Sequence, residues 1–267
     1  DAISAVLNGV QITAPLQFYE NPRIDLTDAR LLANIRAIQE SIPPEKRGST
    51  TVDDCLNLDI KMETGTGKTY VYTKTIFELH KRYGLNKFII AVPSLAIKAG
   101  TAQFLLEEYV RRHFADGCGY EAEIEVCVLE AQKKRKGRTY FPNMVSDFIR
   151  GSSQNTRKIY VLLTNMHLLT MRKDNMLARD DYDYGVEGFY RPLDGIRATR
   201  PVVIIDEPHR FSRDQKAYQL IIDEIKPQSI IRFGATFPET TTGHGRSKVV
   251  VKDYQNLLYD LNACASF

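Results

Sequence analysis

Three short runs restrict this chain more than anything else in it. "FIIAV" (88–92), "YVLLT" (160–164) and "VVIID" (202–206) are almost wholly apolar. A strand with one wet face alternates apolar and polar residues. A strand with almost no polar positions is buried on both faces, as in a parallel sheet covered by helices on either side. The expected strands are 56–62, 87–92, 124–129, 158–164, 201–206 and 230–234. Helical periodicity fills most of the gaps, at 68–83, 95–115, 143–150 and 213–225. This alternation predicts an α/β fold with a mainly parallel sheet. The 267 residues are enough for one large domain with a proper core, or for two small ones.

The first strand-to-helix connection has its own chemistry. "LNLDIKM" (56–62) alternates like a strand, "TGTG" follows, and the helical pattern opens at Lys68. Glycine allows positive φ without steric cost, so the chain can turn sharply here. Unpartnered N–H groups and the helix dipole then make an anion site. Lys68 adds a full charge where β- and γ-phosphates would lie, and Thr69 offers a hydroxyl to Mg²⁺. The general pattern is G-x-x-x-x-G-K-[ST]; Met62 stands at its first position, so the match is partial. The predicted nucleotide-binding set is Glu63, Thr64, Gly65, Thr66, Gly67, Lys68, Thr69 and Tyr70.

A second stretch, "PVVIIDEPHR" (201–210), ends an apolar strand in two adjacent acids. Mg²⁺ keeps several waters and takes one or two carboxylates plus phosphate oxygens, which suits Asp206 at the strand's end. Glu207, next in the turn, suits an attacking water as orienter or base. Ligands of open α/β sheets bind at the carboxyl ends of strands, where both Lys68 and Asp206 fall.

"TGTGKT", "DEPH" and "GAT" (Gly234, Ala235, Thr236) together resemble motifs I, II and III of superfamily 2 helicases and translocases. The longer strings "LDIKMETGTGKTYVYTKTIFELHKRYG", "VPSLAIKAG", "LLTNMHLL" and "FGATFPE" resemble a narrower family, the Res subunit of type III restriction–modification enzymes. The resemblance covers most of residues 55–267. It implies a three-layer RecA-like P-loop NTPase: the first motor domain of an ATP- and Mg²⁺-dependent DNA translocase. The partners implied are double-stranded DNA and a modification (methyltransferase) subunit. Position by position, Lys68, Asp206, Glu207 and His209 would be catalytic, and Thr69 and Asp206 would hold the metal. Gly234, Ala235 and Thr236, with His209, would couple nucleotide state to grip on DNA. Pro93, Ser94 and Lys98 resemble motif Ia, and Thr164, Asn165 and His167 motif Ib; both would meet DNA phosphates. The family's second motor lobe, with its arginine facing the γ-phosphate, and its nuclease domain have no counterpart here. The family's glutamine motif belongs just before Asp1. Motifs I to III alone fit a DExH-type RNA helicase lobe equally, or a P-loop scaffold that binds without turnover; the longer strings favour DNA.

The predicted organisation is a flanking segment, 1–50, packed on a motor domain, 51–267. Short helical patterns lie at 1–7 and 28–41. Residues 171–200 read as an irregular excursion, and "LLYDLNACASF" (257–267) as an apolar segment with nothing to pack against. Both ends read as cut from a longer protein. Net charge is +3, compatible with nucleic acid without arguing for it; "QKKRKGR" (132–138) is the only dense basic run. Cys55, Cys118, Cys127 and Cys264 show no C-x-x-C spacing, which disfavours zinc and a disulfide framework and points to a reducing, cytoplasmic compartment. No signal peptide opens the chain, and no run approaches the roughly 18 apolar residues of a membrane span.

Overall fold

The computed structural model describes residues 2–132, 139–171, 175–212, 214–242 and 249–261. The basic run at 133–138 and Cys264 lie outside the described residues. In chain order the elements begin with α1 (Ala2–Val6), β1 (Ile12–Thr13), β2 (Arg23–Ile24), α2 (Ala29–Gln39), β3 (Leu56–Met62), α3 (Lys68–Tyr83) and β4 (Lys87–Val92). Then come α4 (Leu95–Leu106), α5 (Glu108–Arg112), β5 (Glu123–Val128), α6 (Asn143–Arg150), β6 (Lys158–Asn165) and α7 (Pro192–Ala198). The chain continues through β7 (Val202–Asp206), α8 (Lys216–Leu220), β8 (Ser229–Gly234), β9 (Glu239–Thr242), β10 (Val249–Lys252) and β11 (Leu257–Leu261).

Seven strands form one sheet in the order β11-β3-β8-β7-β4-β6-β5, every neighbouring pair parallel. The apolar runs divide their side chains between two cores, as period-2 geometry requires. Phe88, Ile90 and Val92 enter one core with Val161, Leu163 and Ile204. Ile89 and Ala91 enter the other with Leu162, Val203 and Ile205. The parallel arrangement puts every strand's C-terminal end on one edge, so the turns after β3, β4, β6, β7 and β8 share it.

Strands 56–62 and 87–92 and helices 68–83 and 143–150 fall where the periodicity puts them. Gly84 closes α3 in the left-handed region (φ 70°), its N–H donating to His80 O at 2.8 Å. Four expectations change. The helix expected over 95–115 breaks at Glu107, whose backbone turns extended (φ −61°, ψ 125°) before α5 begins. The pattern at 213–225 divides into α8 and a wider π-helical turn, Ile221–Ile225. Within the supposedly irregular 171–200, Pro192 opens α7, and Leu193, Gly195 and Ile196 are buried. A Cβ on Gly195 would lie 2.4 Å from Ile149 Cδ1, so glycine is what lets α7 sit on α6. Finally, 257–261 does have a surface: β11 is one of the sheet's two edge strands, and Leu257 and Leu258 are buried.

The first fifty residues are tied to the sheet by hydrogen bonds. Asn21, fully buried, donates to Lys87 O (2.9 Å) and Arg200 O (3.1 Å) and accepts from the N–H groups of Asn86 and Lys87. Gln39 on α2 donates to Leu257 O at 3.0 Å, and Tyr83 on α3 to Ser4 O at 2.6 Å. Under the sheet's other half, Lys87 is buried with its ammonium against the last carbonyls of α6, Phe148 O and Ile149 O, and over the Tyr160 ring at 4.5 Å. Among the described residues no helix is long and apolar enough to cross a membrane.

Candidate active site

The turn after β3 is built as the sequence demands. Gly65 and Gly67 take φ of 83° and 82°, a region other residues enter only with strain. A Cβ at either would meet nothing within 4 Å, so the loop borders open space. No side chain caps the first turn of α3. Its N–H groups are thus left for a ligand. Thr66 holds the loop from inside, its hydroxyl donating to Glu63 O at 2.6 Å.

The turn after β7 comes to the same place. Glu207 sits in the left-handed region (φ 57°, ψ 65°), uncommon for a side chain of its size, and its N–H donates to Phe233 O at 2.9 Å. Its carboxylate pairs with Lys68 Nζ at 3.0 Å and lies 3.4 Å from His209 Nδ1. His209 Nδ1 in turn is 2.9 Å from Thr236 Oγ1. Gly234, at the end of β8, fits between these turns: a Cβ there would lie 2.4 Å from Pro208 Cδ. Lys68, Glu207, His209 and Thr236 therefore form one unbroken polar chain across three strand ends.

Asp206 stands beneath. It is buried, and its Oδ1 makes no hydrogen bond. Burial, with the Glu207 charge beside it, pushes its carboxyl up to about 6, against the opposing pull of Lys68. A buried carboxylate oxygen without a partner is costly unless something else occupies its lone pairs. The donor set suits a hard cation: a carboxylate and the Thr69 hydroxyl, with room for phosphate oxygens and water. The cradle and the orphaned oxygen thus fit a nucleotide phosphate with Mg²⁺.

The remaining expected residues divide. Thr64 is exposed on the loop, and Ala235 is half-buried. Tyr70 is engaged sideways, its hydroxyl 3.1 Å from His113 Nε2 and its ring stacked on Phe114. On the DNA side, Ser94 is the N-cap of α4, accepting from Ile97 N at 3.3 Å, and His167 is exposed beyond β6. Pro93 is buried. Lys98 is buried with its ammonium on Leu129 O at 2.6 Å, and Thr164 and Asn165 are each 1% exposed. In this structure the side chains of Lys98, Thr164 and Asn165 face inward, because α4 and the end of β6 bury them.

One group escaped the sequence reading. Tyr72, fully buried on α3, places its hydroxyl 3.3 Å from Thr101 Oγ1 on α4, which joins the two helices beside the site.

Comparison with known proteins identifies the family. Residues 32–239 match the family model described as "Type III restriction enzyme, res subunit". The Res subunit of the Salmonella typhimurium enzyme StyLTI is 47% identical over 221 residues, covering 80% of this chain and 22% of that protein. The Escherichia phage P1 EcoPI and Escherichia coli EcoP15I Res subunits are 39% and 38% identical, each over 92% of this chain and 24% of their own length. The chain thus spans about a quarter of the relatives it matches.

Proposed function

We propose that this chain, which belongs to the type III restriction enzyme Res subunit family, carries the first motor lobe of an ATP-driven DNA translocase. Residues 51–267 form the lobe, and residues 1–50 are its flanking segment. The observation that carries the reading is the meeting of Lys68 and Glu207 at 3.0 Å, above the unpartnered Asp206 oxygen. Phosphate loop and acidic turn come from different strands, and this is the arrangement that hydrolysis of a nucleoside triphosphate requires.

In this reading the N–H groups of residues 65–69 and the Lys68 ammonium hold the phosphates. Thr69 and Asp206 hold Mg²⁺, which when bound neutralises charge on the phosphate oxygens. Lys68 exchanges the Glu207 carboxylate for phosphate oxygens. Glu207, released, orients the attacking water and takes its proton. His209 and Thr236 sense that release through the polar chain they share with Glu207. The DNA duplex runs along the same edge of the sheet, over the Pro93–Ser94 turn and His167. A modification subunit, as in the relatives' two-part systems, is the expected partner.

The test is ATP turnover with and without duplex DNA, in the protein extended through a second motor lobe. Glu207→Gln should keep nucleotide binding and lose roughly 10²–10⁴ in turnover. Residues 1–267 alone should bind Mg²⁺·ATP without DNA-stimulated hydrolysis, because no opposing arginine reaches the developing charge; such a residue contributes about 10³–10⁵. Stimulated hydrolysis by the short chain would overturn the two-lobe reading.

A further inference from the structure

Glu207 owes its direction to its backbone. Strands β7 and β8 stay paired up to Asp206 and Phe233, and the Glu207 N–H adds one more bond, to Phe233 O at 2.9 Å. The chain then turns with Glu207 at φ 57° and ψ 65°, and Pro208–Arg210 form a short 3₁₀ turn. Pro208 is buried. Its ring lies on Gly234, the last residue of β8: a Cβ there would stand 2.4 Å from Pro208 Cδ and 3.0 Å from Pro208 Cγ. A side chain at 234 would therefore displace the ring.

The proline also restricts the residue before it. Its Cδ disfavours the right-handed helical region for Glu207, which leaves the extended and left-handed regions. The bond to Phe233 O holds the peptide before Glu207, and the ring on Gly234 holds the peptide after it. Together they keep the left-handed turn, from which the carboxylate reaches Lys68 Nζ at 3.0 Å. A clamp on the backbone matters here, because that ion pair is the contact that must break. Once Lys68 turns to phosphate it no longer aims Glu207, while the two backbone restraints are unchanged. A reacting group displaced by about 1 Å loses on the order of 10² in rate.

We infer that Pro208, seated on Gly234, is a positioning residue for the reaction: it keeps Glu207 in the left-handed turn, with its carboxylate aimed at the attacking water after Lys68 has let go. The inference rests on the reading of Glu207 as the group that orients that water. It gives Gly234 a steric duty separate from the polar chain through His209 and Thr236, since the contact with the ring involves no hydrogen bond.

The test is ATP turnover of the full-length protein with duplex DNA, with single-turnover rates for slow variants, beside calorimetric titration with a non-hydrolysable ATP analogue in Mg²⁺. Pro208→Ala opens the right-handed region to Glu207 and empties the seat. It should lower kcat by about 10- to 100-fold, with KM and analogue affinity unchanged. Gly234→Ala, which pushes the ring away, should lower kcat in the same direction. In a Glu207→Gln background Pro208→Ala should cost nothing further, because both changes act through one carboxylate. An unchanged kcat in Pro208→Ala overturns the inference and leaves the site reading standing. So does an equal loss in both backgrounds, which would mean that Pro208 acts elsewhere. A loss of analogue affinity matching the loss of turnover would make Pro208 a support of the phosphate site as a whole, and overturns it too. If Glu207→Gln itself keeps full turnover, the assignment of Glu207 falls and takes Pro208 with it.

Discussion

Two ion pairs lie within one half of the sheet, and they are built to opposite ends. Asp59 and Arg232 face each other in mid-strand on β3 and β8, both side chains fully buried. Arg232 grips the carboxylate in two-pronged fashion, at 2.7 and 2.6 Å. Gln255 N donates to Asp59 Oδ2, and Arg232 donates to Asp253 O, which fastens the approach to β11 onto the sheet. Asp59 thus has both oxygens engaged. Lys68 and Glu207 lie beyond the strand ends, held by one contact at 3.0 Å, with the Asp206 oxygen beneath them left unmatched. A buried charge is tolerable when its hydrogen bonds are complete. The carboxylate of the first pair meets that condition within the fold, with both oxygens bonded, and only Arg232 Nη1 on the cation side goes without a partner. The second meets it only when a ligand supplies the rest, and that separates a structural ion pair from a site.

The sharpest way to break this comparison is to remove one cation from each pair. Arg232→Met leaves a buried carboxylate alone and should destabilise the fold by about 3–5 kcal/mol. Lys68→Met should cost only about 1–2 kcal/mol, because Glu207 keeps some solvent contact and His209 beside it. Urea unfolding of the two variants measures both. Equal losses would mean that the Lys68–Glu207 pair is as structural as the other.

Nucleotide binding should reverse the order. Charge-assisted hydrogen bonds contribute about 1.5–3 kcal/mol each, so Lys68→Ala should weaken a calorimetric ATP titration by about 10- to 150-fold. Arg232→Met, assayed where it remains folded, should titrate like wild type. Unchanged ATP affinity in Lys68→Ala would remove Lys68 from the phosphate site.

A third charge sharpens the contrast from inside the core. Burial pulls the Lys87 ammonium down to about 7. The unfolded chain therefore holds this proton more tightly than the folded one. Below pH 7 the lysine is charged in both states and its burial penalty is fully present. As pH rises from about 7 towards the ordinary lysine value, the unfolded state stays protonated and the penalty lifts. Stability of wild type relative to Lys87→Met should thus rise by about 1.4 kcal/mol per pH unit in that window. A flat difference from pH 7 to 10 would show Lys87 held charged by the Phe148 and Ile149 carbonyls.

These cases also mark what could be read from residues alone. Local pattern sufficed for β3, the glycine turn, α3 and the two acids where β7 ends, because each is set by neighbours in sequence. It failed where distant partners decide. Nothing in "LDIKM" or "IIRFG" says that Asp59 and Arg232 share a register position. Nothing in the last apolar segment says that it completes a sheet begun two hundred residues earlier. Lys98 reads as a basic residue after a strand, yet Leu129 O takes it inward. Tyr72 reads as one more residue of a helix, and only the third dimension puts its hydroxyl 3.3 Å from Thr101 Oγ1 on α4.

The smallest expected effect tests whether the DNA edge and the nucleotide edge are one. Ser94 already has a structural duty, capping α4 through Ile97 N. Ser94→Ala should therefore cost about 1 kcal/mol of stability whatever the protein binds, and weaker DNA binding by that variant alone would prove little. Aspartate separates the two roles. It caps a helix about as well as serine, and its charge suits a helix N-terminus. Ser94→Asp should thus unfold at the wild-type urea concentration. Beside a phosphate backbone the same carboxylate repels, most strongly at low salt, where unscreened contacts dominate affinity. Duplex DNA should bind Ser94→Asp more weakly than Ser94→Ala, with the gap closing as salt is raised. If Ser94→Asp binds duplex as wild type does at low salt, DNA does not pass the start of α4.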